Sequence, residues 1–219
     1  MKNYFLEKTA LFRGMETDEI REMLKCLSAE QKHYLKGAVV YHAGDMVQFL
    51  GIVLSGRVQI ENNDPWGNTS VLDSVEPGMV FAETYACIHE EPLMVNVIAA
   101  EASEILFLNA RQLLYPCQNG CERHQKMIRN LLQVSAQKNL NLSRRIFHTS
   151  SKSIRGRILS YLSFQAAREG SHEFTIPFNR QQLADYLSVD RSALSNELSK
   201  MQKDGLLTVS RSHFILHEQ

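Results

Sequence analysis

Hydrophobic and polar positions change period twice along the chain. Between residues 3 and 35 the apolar positions fall at helical spacing. Ile20, Met23, Leu24 and Leu27 make one stripe, and Thr17 stands where an N-cap belongs. From about Gly37 to Leu108 the texture becomes that of strands: Val39 to Tyr41, Leu50 to Leu54, Val58 to Ile60, Ser70 to Leu72, Val95 to Ile98 and Ile105 to Leu108. Ala43-Gly44-Asp45, Ser55-Gly56, Asn62-Asn63-Asp64-Pro65 and Glu76-Pro77-Gly78 punctuate these runs. Short strands at even spacing with glycine turns predict a small barrel or roll. Gly56 and Gly78 stand where such a roll must turn with unusual φ.

Helical spacing returns from Cys117 to about His148. Ile128, Leu132, Ser135, Asn139, Leu142 and Ile146 recur at steps of four and three, which is a heptad seam. Two of its positions are polar, so a single-chain core suits it poorly. A symmetric two-helix contact fits better, with Asn139 able to fix the register. His148-Thr149-Ser150-Ser151 reads as a hinge, and Ile154, Ile158, Tyr161 and Leu162 mark a helix to about Ala167. The chain thus divides into a roll over 1–116, a dimerisation helix with its hinge over 117–148, and a C-terminal domain over 149–219.

That last domain carries the clearest motif. Asn179 opens a helix as its N-cap, Gln182 completes a capping box, and Leu183, Ala184 and Leu187 form one apolar face. Ser188-Val189 makes a tight turn, and small Ala193 and Ser188 let two helices cross closely. Asp190 caps a second helix whose Leu194, Leu198 and Met201 face inward. Arg191, Ser192, Ser195 and Asn196 then face outward from its first two turns, with Arg180 and Lys200 nearby. The N-terminal part of such a second helix meets base edges in the major groove, where Arg pairs with guanine and Asn with adenine. Leu206 to Val209 and Phe214 to Leu216 predict a two-stranded wing around Ser210-Arg211-Ser212-His213. The pattern is that of a winged helix-turn-helix.

Charge sharpens this division. The net charge is zero, which by itself argues against nucleic acid. Residues 1–120 hold nine Lys and Arg against sixteen Asp and Glu, whereas residues 121–219 hold fifteen against eight. Between Ala136 and Arg168 stand Lys138, Arg144, Arg145, Lys152, Arg155, Arg157 and Arg168 with no acid. Such a stretch can neutralise phosphates or form a solvated face. No apolar run is long enough to span a bilayer, and the N-terminal residues do not read as a signal peptide. The expected location is the cytoplasm, with Cys26, Cys87, Cys117 and Cys121 reduced.

With these parts in place the chain resembles the CRP/FNR family of bacterial transcription regulators. The residues that carry the likeness are Gly51-Ile52-Val53-Leu54-Ser55-Gly56-Arg57-Val58, Pro77-Gly78-Met79-Val80-Phe81-Ala82-Glu83, Leu132-Gln133-Val134 and Asp190 to Leu207. The resemblance implies an α+β fold: an N-terminal β-roll effector domain of cupin-like, double-stranded β-helix type, a long dimerisation helix, and a C-terminal winged helix-turn-helix. It implies a homodimer on double-stranded DNA with a palindromic operator, working with RNA polymerase. Arg191 matches a base-contacting arginine. Ser192 stands where many members have glutamate, and Asn196 replaces an arginine common in the best-known members, so a different operator sequence is expected.

The same resemblance places the effector pocket at Glu83, Tyr85, Leu93, Met94, Ser135 and Ala136. Members that bind cyclic nucleotides use a Gly-Glu pair and, further on, an Arg-Ser pair on the phosphate. Here Ala82 replaces the glycine and Leu93-Met94 replace the Arg-Ser. A buried phosphate would lack its cation there, which is costly. The expected effector is therefore a small molecule other than cAMP, and no cofactor is assigned. An alternative input is a metal or redox response at Cys117, Cys121 and His124, which share one face if the helix is continuous. The iron–sulfur arrangement of FNR-type members, with cysteines near the N-terminus, is absent. A cupin-type enzyme would need clustered histidines; His33, His42 and His89 stand singly, so no enzyme activity is expected.

Overall fold

The computed structural model describes residues 3–63, 66, 69–88, 90–115 and 121–217. Two compact units divide the chain, residues 1–137 and 138–219.

The first unit is built on two antiparallel four-stranded sheets. One has the order β1 (Glu30–Tyr34), β8 (Ser103–Asn109), β3 (Phe49–Ser55), β6 (Val80–Phe81). The other has the order β2 (Val39–Tyr41), β7 (Asn96–Ala99), β4 (Val58–Asn63), β5 (Thr69–Val75). Period-two patterning puts Val53, Val58, Val75, Phe81, Val97, Ile105 and Phe107 into a common core. Gly56, at φ +78°, turns between β3 and β4. A Cβ there would lie 2.4 Å from the carbonyl of Ala102, so both conformation and space demand glycine. Gly78, at φ +88°, makes the turn before β6.

Two helices, α1 (Asn3–Leu6) and α2 (Thr17–Cys26), bury Leu6, Ile20, Met23 and Leu24 in a second core with Leu50, Ile52, Leu106 and Leu108. Two local expectations give way here. The N-cap of α2 is Glu16, not Thr17: Glu16 and Glu19 form the capping box, and Thr17 is already helical. Residues 30–34 form a strand rather than helix, because β8 offers a free edge and pairs with them from Glu30↔Phe107 to Tyr34↔Ser103. Two short helices, α3 (Glu83–Cys87) and α4 (Ala110–Leu114), flank the roll.

Helix α5 spans Glu122–Thr149, so the described helix begins five residues after Cys117. Residues 116–120 lie outside the described part. Its first turns pack in the first unit, where Met127 and Leu131 are buried and Asn130 Nδ2 donates to the carbonyls of Leu11 (3.0 Å) and Arg13 (2.9 Å).

The second unit contains the end of α5, then α6 (Ile154–Glu169), β9 (Glu173–Thr175), α7 (Arg180–Leu187), α8 (Arg191–Lys203), β10 (Leu207–Ser210) and β11 (His213–Leu216). The three strands form one antiparallel sheet in the order β10, β11, β9. Ile158, Leu162, Leu183, Leu187, Leu194, Leu198, Met201 and Phe214 share its core. The predicted hinge is tied down locally. His148 is buried against the rings of Tyr161 and Phe164, and its Nδ1 lies 3.0 Å from Ser160 Oγ. Burial and the charge of Arg144 hold its imidazole below the usual pKa.

Candidate nucleic-acid interface and effector-domain sites

The helix-turn-helix forms as its caps dictate. Asn179 Oδ1 accepts from the Gln182 N–H, and Gln182 Oε1 accepts from the Asn179 N–H, each at 2.9 Å. Ser188 ends α7 in the left-handed region at φ +53°. Asp190 Oδ1 then accepts from the N–H groups of Ser192 (2.8 Å) and Ala193 (3.0 Å), and from the Ser192 hydroxyl. These bonds hold the Asp190 carboxyl below the usual carboxylate pKa, so the cap is charged at neutral pH. With Leu194, Leu198 and Met201 buried, α8 leaves Arg191, Ser192, Asn196 and Lys200 exposed and Ser195 half-exposed.

Not every outward residue is equally available. The Ser192 hydroxyl is engaged by Asp190, and Ser195 Oγ donates to the Arg191 carbonyl at 2.9 Å. Both hydroxyls can still accept a bond, whereas Arg191 and Asn196 carry the multidentate groups. Arg180 is half-buried, and its Nη2 reaches the Arg211 carbonyl at 3.4 Å. Burial holds its guanidinium below the usual value. Arg211 sits exposed in the wing turn at φ +55°.

The cation-only stretch has a structural role that the sequence does not reveal. Arg145 donates to the carbonyls of Tyr186 (3.1 Å) and Asp185 (2.8 Å). Arg157 donates to Leu187 (3.1 Å), Ser188 (2.9 Å) and Ser151 (2.8 Å). Together they serve the orphan carbonyls at the C-terminus of α7, where positive charge also suits the helix dipole. Arg155 pairs with Glu197 (2.6 Å) and Asp204 (2.8 Å), tying α6 to α8. These arginines brace the reader instead of facing solvent as a phosphate strip.

On α5 the predicted seam is largely uncovered. Leu132, Leu142 and Ile146 are each at least 60% exposed, Asn139 is exposed, and Ile128 and Ser135 are half-buried.

The roll residues expected around an effector are dispersed in their burial. Glu83 and Leu93 are buried, Tyr85 and Ser135 are half-buried, and Met94 and Ala136 are exposed. Leu93 packs into the core with Leu50 and Ile52, and its backbone is locked to the Gly44–Asp45 turn. Ala82 before α3 is left-handed at φ +58°, a conformation that favours glycine.

Of the thiol–imidazole group, Cys121 and His124 are described and Cys117 is not; His89 also lies outside the described residues. Cys121 directly precedes α5. Its thiol is pulled down to about 6 by the His124 ring, the Arg123 guanidinium and backbone N–H groups of α5. His124 is buried, and its Nε2 lies 3.7 Å from Cys26 Sγ at the end of α2, a neighbour that sequence reading missed. Among the described residues no three His, Cys, Asp or Glu side chains are arranged to hold a metal ion. Nor is any described helix long and apolar enough to cross a membrane.

Comparison with known proteins follows the same division. Residues 31–119 match the model of the cyclic nucleotide-binding domain, and residues 156–219 match the Crp-like helix-turn-helix domain. The chain belongs to the CRP/FNR family. It is a CRP/FNR-type DNA-binding transcription regulator with an effector-binding domain. A curated relative, the cyclic AMP receptor protein of Thermus thermophilus, is 24% identical over 98% of this chain and 88% of that protein. The crystal structure of the Thermus thermophilus catabolite activator protein shares the fold with TM-score 0.53 and 23% identity, over 96% of this chain and 94% of that one. The c-di-GMP-responsive global regulator CLP of Xanthomonas campestris gives TM-score 0.58 at 20% identity, over 93% and 100%. CprK complexed with OCPA gives 0.65 at 13%, over 92% of each chain.

Proposed function

We propose that this CRP/FNR regulator acts as a homodimer, with two copies paired along the exposed face of α5 and their two α8 helices reading a two-fold symmetric operator. The observation that carries this reading is the combination of an uncovered apolar seam with a fully capped reader helix. Leu132, Leu142 and Ile146 face solvent on α5, and an isolated monomer gains nothing from that exposure. Two readers on a two-fold axis require half-sites about one helical turn apart, roughly 10 base pairs. Arg191 and Asn196 supply base contacts, Ser192 and Ser195 accept bonds, and Arg180, Lys200 and Arg211 meet the backbone. RNA polymerase is the expected protein partner once the dimer is on DNA.

The roll supplies the input. Solved relatives of this fold are named for c-di-GMP response and for an OCPA complex, and one curated relative for cyclic AMP, so the fold does not fix the ligand. Leu93 argues against a cyclic phosphate here. It stands where cyclic-nucleotide binders place arginine, and it is spent in the core. The effector is a less polar small molecule held near Glu83, Tyr85 and Ser135, and its binding shifts the population of DNA-competent dimers. A second reading, a redox-responsive input, is favoured by Cys26 Sγ lying 3.7 Å from the buried His124 ring.

Fluorescence anisotropy on a selected operator tests the reader. Arg191→Ala is expected to weaken operator binding by about 1–3 kcal/mol while leaving non-specific binding nearly unchanged. Equal loss on both DNAs would remove Arg191 from base reading. Calorimetric titration tests the input, and cAMP affinity in the micromolar range or tighter would overturn the exclusion.

A further inference from the structure

The last turn of α5 carries a histidine where an apolar ring would leave no nitrogen to satisfy. His148 is 1% exposed, and its ring lies against Tyr161 and Phe164 of α6 and Tyr186 of α7, at centroid distances of 5.6, 5.3 and 6.2 Å. Phe147 touches it from the preceding position at 5.5 Å. Ser160 Oγ, 3.0 Å from Nδ1, serves one ring nitrogen. Nε2 has no hydrogen-bond partner among the described residues. The neutral ring has one N–H donor and one bare nitrogen, and Ser160 can serve either at Nδ1. The imidazolium has two N–H donors and a full charge, and this shell offers one acceptor. A group of that kind is far harder to bury than the neutral ring.

No carboxylate is among the ring and hydrogen-bond contacts of His148 in the described residues. Arg144, on the same helix, lies over the Phe164 ring at 5.3 Å and adds a positive charge. The titratable contacts on α6 and α7 are the phenols of Tyr161 and Tyr186, which burial pushes up, Tyr161 to about 12. Asp185, beside Tyr186, has its carboxylate 2.8 Å from Gln181 Nε2. Arg157 of α6 is turned to the carbonyls of Ser151, Leu187 and Ser188. Burial first, and Arg144 second, keep His148 neutral at pH 7.

The same shell holds the reader. Tyr186 packs on Tyr161 and Phe178 at 5.3 and 5.1 Å, and its carbonyl accepts from Arg145 Nε at 3.1 Å. Leu187 then ends α7, and Ser188-Val189 leads into α8. We propose that His148 is a proton-operated latch of the DNA-reading unit: taking up a proton drives its ring out of the aromatic shell, loosens α7 from α5 and α6, and weakens operator binding as pH falls below neutral. The latch goes beyond the operator reading above and draws on it only in the DNA arm of its test.

Thermal unfolding of the full-chain wild type and His148→Phe between pH 8 and pH 5 reads the latch without DNA. The unfolded chain takes up the proton from about pH 6.5 downward, and the folded ring only at lower pH. Stability is therefore complete above about pH 6.5 and is lost as pH falls from there towards the folded value. The other histidines are common to both proteins, so the difference isolates His148. Below about pH 6.5 the wild-type unfolding constant should rise against the variant by up to about tenfold per pH unit, the slope for one proton. Carbon-13 histidine NMR of the wild type, which needs no variant, should place the folded His148 midpoint below about 6.5. Fluorescence anisotropy should show the wild type losing operator affinity between pH 7.5 and pH 5.5 by a factor that His148→Phe lacks. A folded midpoint at or above about 6.5, or parallel stability profiles, would overturn the latch. Diverging stability with equal affinity changes on the operator would overturn its link to the reader. Absence of a two-fold operator at pH 7.5 would count against the operator reading alone, since the DNA-free arms decide the latch.

Discussion

Leu142→Ala gives a sharp test of the proposed pairing along α5. Leu142 is 60% exposed, so more than half of its side chain is available to a partner. The substitution removes three carbons. At about 0.8 kcal/mol per buried methylene this is roughly 2.4 kcal/mol for complete burial, or about 1.4 kcal/mol for the exposed fraction. A two-fold interface counts the loss twice, giving about 2.9 kcal/mol. At about 1.4 kcal/mol per factor of ten, the dimer dissociation constant should rise about 100-fold. Alanine is at least as good a helix former as leucine, so α5 itself should survive. Sedimentation equilibrium over a dilution series reads the constant, and circular dichroism checks the helix. A shift below about threefold with intact helix content would refute the argument that this face is the seam.

Three further outcomes follow from the geometry. Arg157→Met leaves the carbonyls of Leu187, Ser188 and Ser151 without their charged donor; thermal unfolding should show a loss of about 1.5–3 kcal/mol, the usual worth of a charged hydrogen bond. Asp190→Ala removes the α8 cap. Because the folded carboxyl has a lowered pKa, its stabilisation is present above the unfolded value of about 3.9 and is lost as pH falls through the folded one. The melting-temperature gap between wild type and Asp190→Ala should therefore be full at pH 6 and shrink only below about pH 4; a gap that closes at neutral pH would contradict the cap. Asn139→Leu should tighten the dimer but broaden its oligomer distribution, because a polar seam position buys register at some cost in stability; native mass spectrometry reads both effects.

What the sequence revealed depended on how local each signal was. The reader was legible because its caps, apolar spacing and turn residues all lie between 179 and 201, and each has a local cause. The roll was legible where apolar runs were strong, as at Ile105 to Leu108. Strand β1 was not, because Glu30-Gln31-Lys32-His33 is polar and exposed; its partner on β8, not its own pattern, makes it a strand. Strand β6 spans only two residues and offers no period. Arg145 and Arg157 read only as part of a stretch that either neutralises phosphates or faces solvent, because a sequence shows charge but not which carbonyls a fold leaves open. Cys26 escaped notice for a similar reason: 98 residues separate it from His124, and only the packing of α2 on α5 brings them together. The effector residues were chosen from resemblance, and their burial follows from tertiary packing that no local pattern encodes.

The central claim, paired α8 readers on one two-fold site, is tested most directly by selecting the wild-type full chain against a random duplex library. The account predicts an inverted repeat whose half-site centres lie about 10 base pairs apart, with Arg191→Ala relaxing the same position in both halves. A single unpaired half-site, or a repeat in direct orientation, would contradict it.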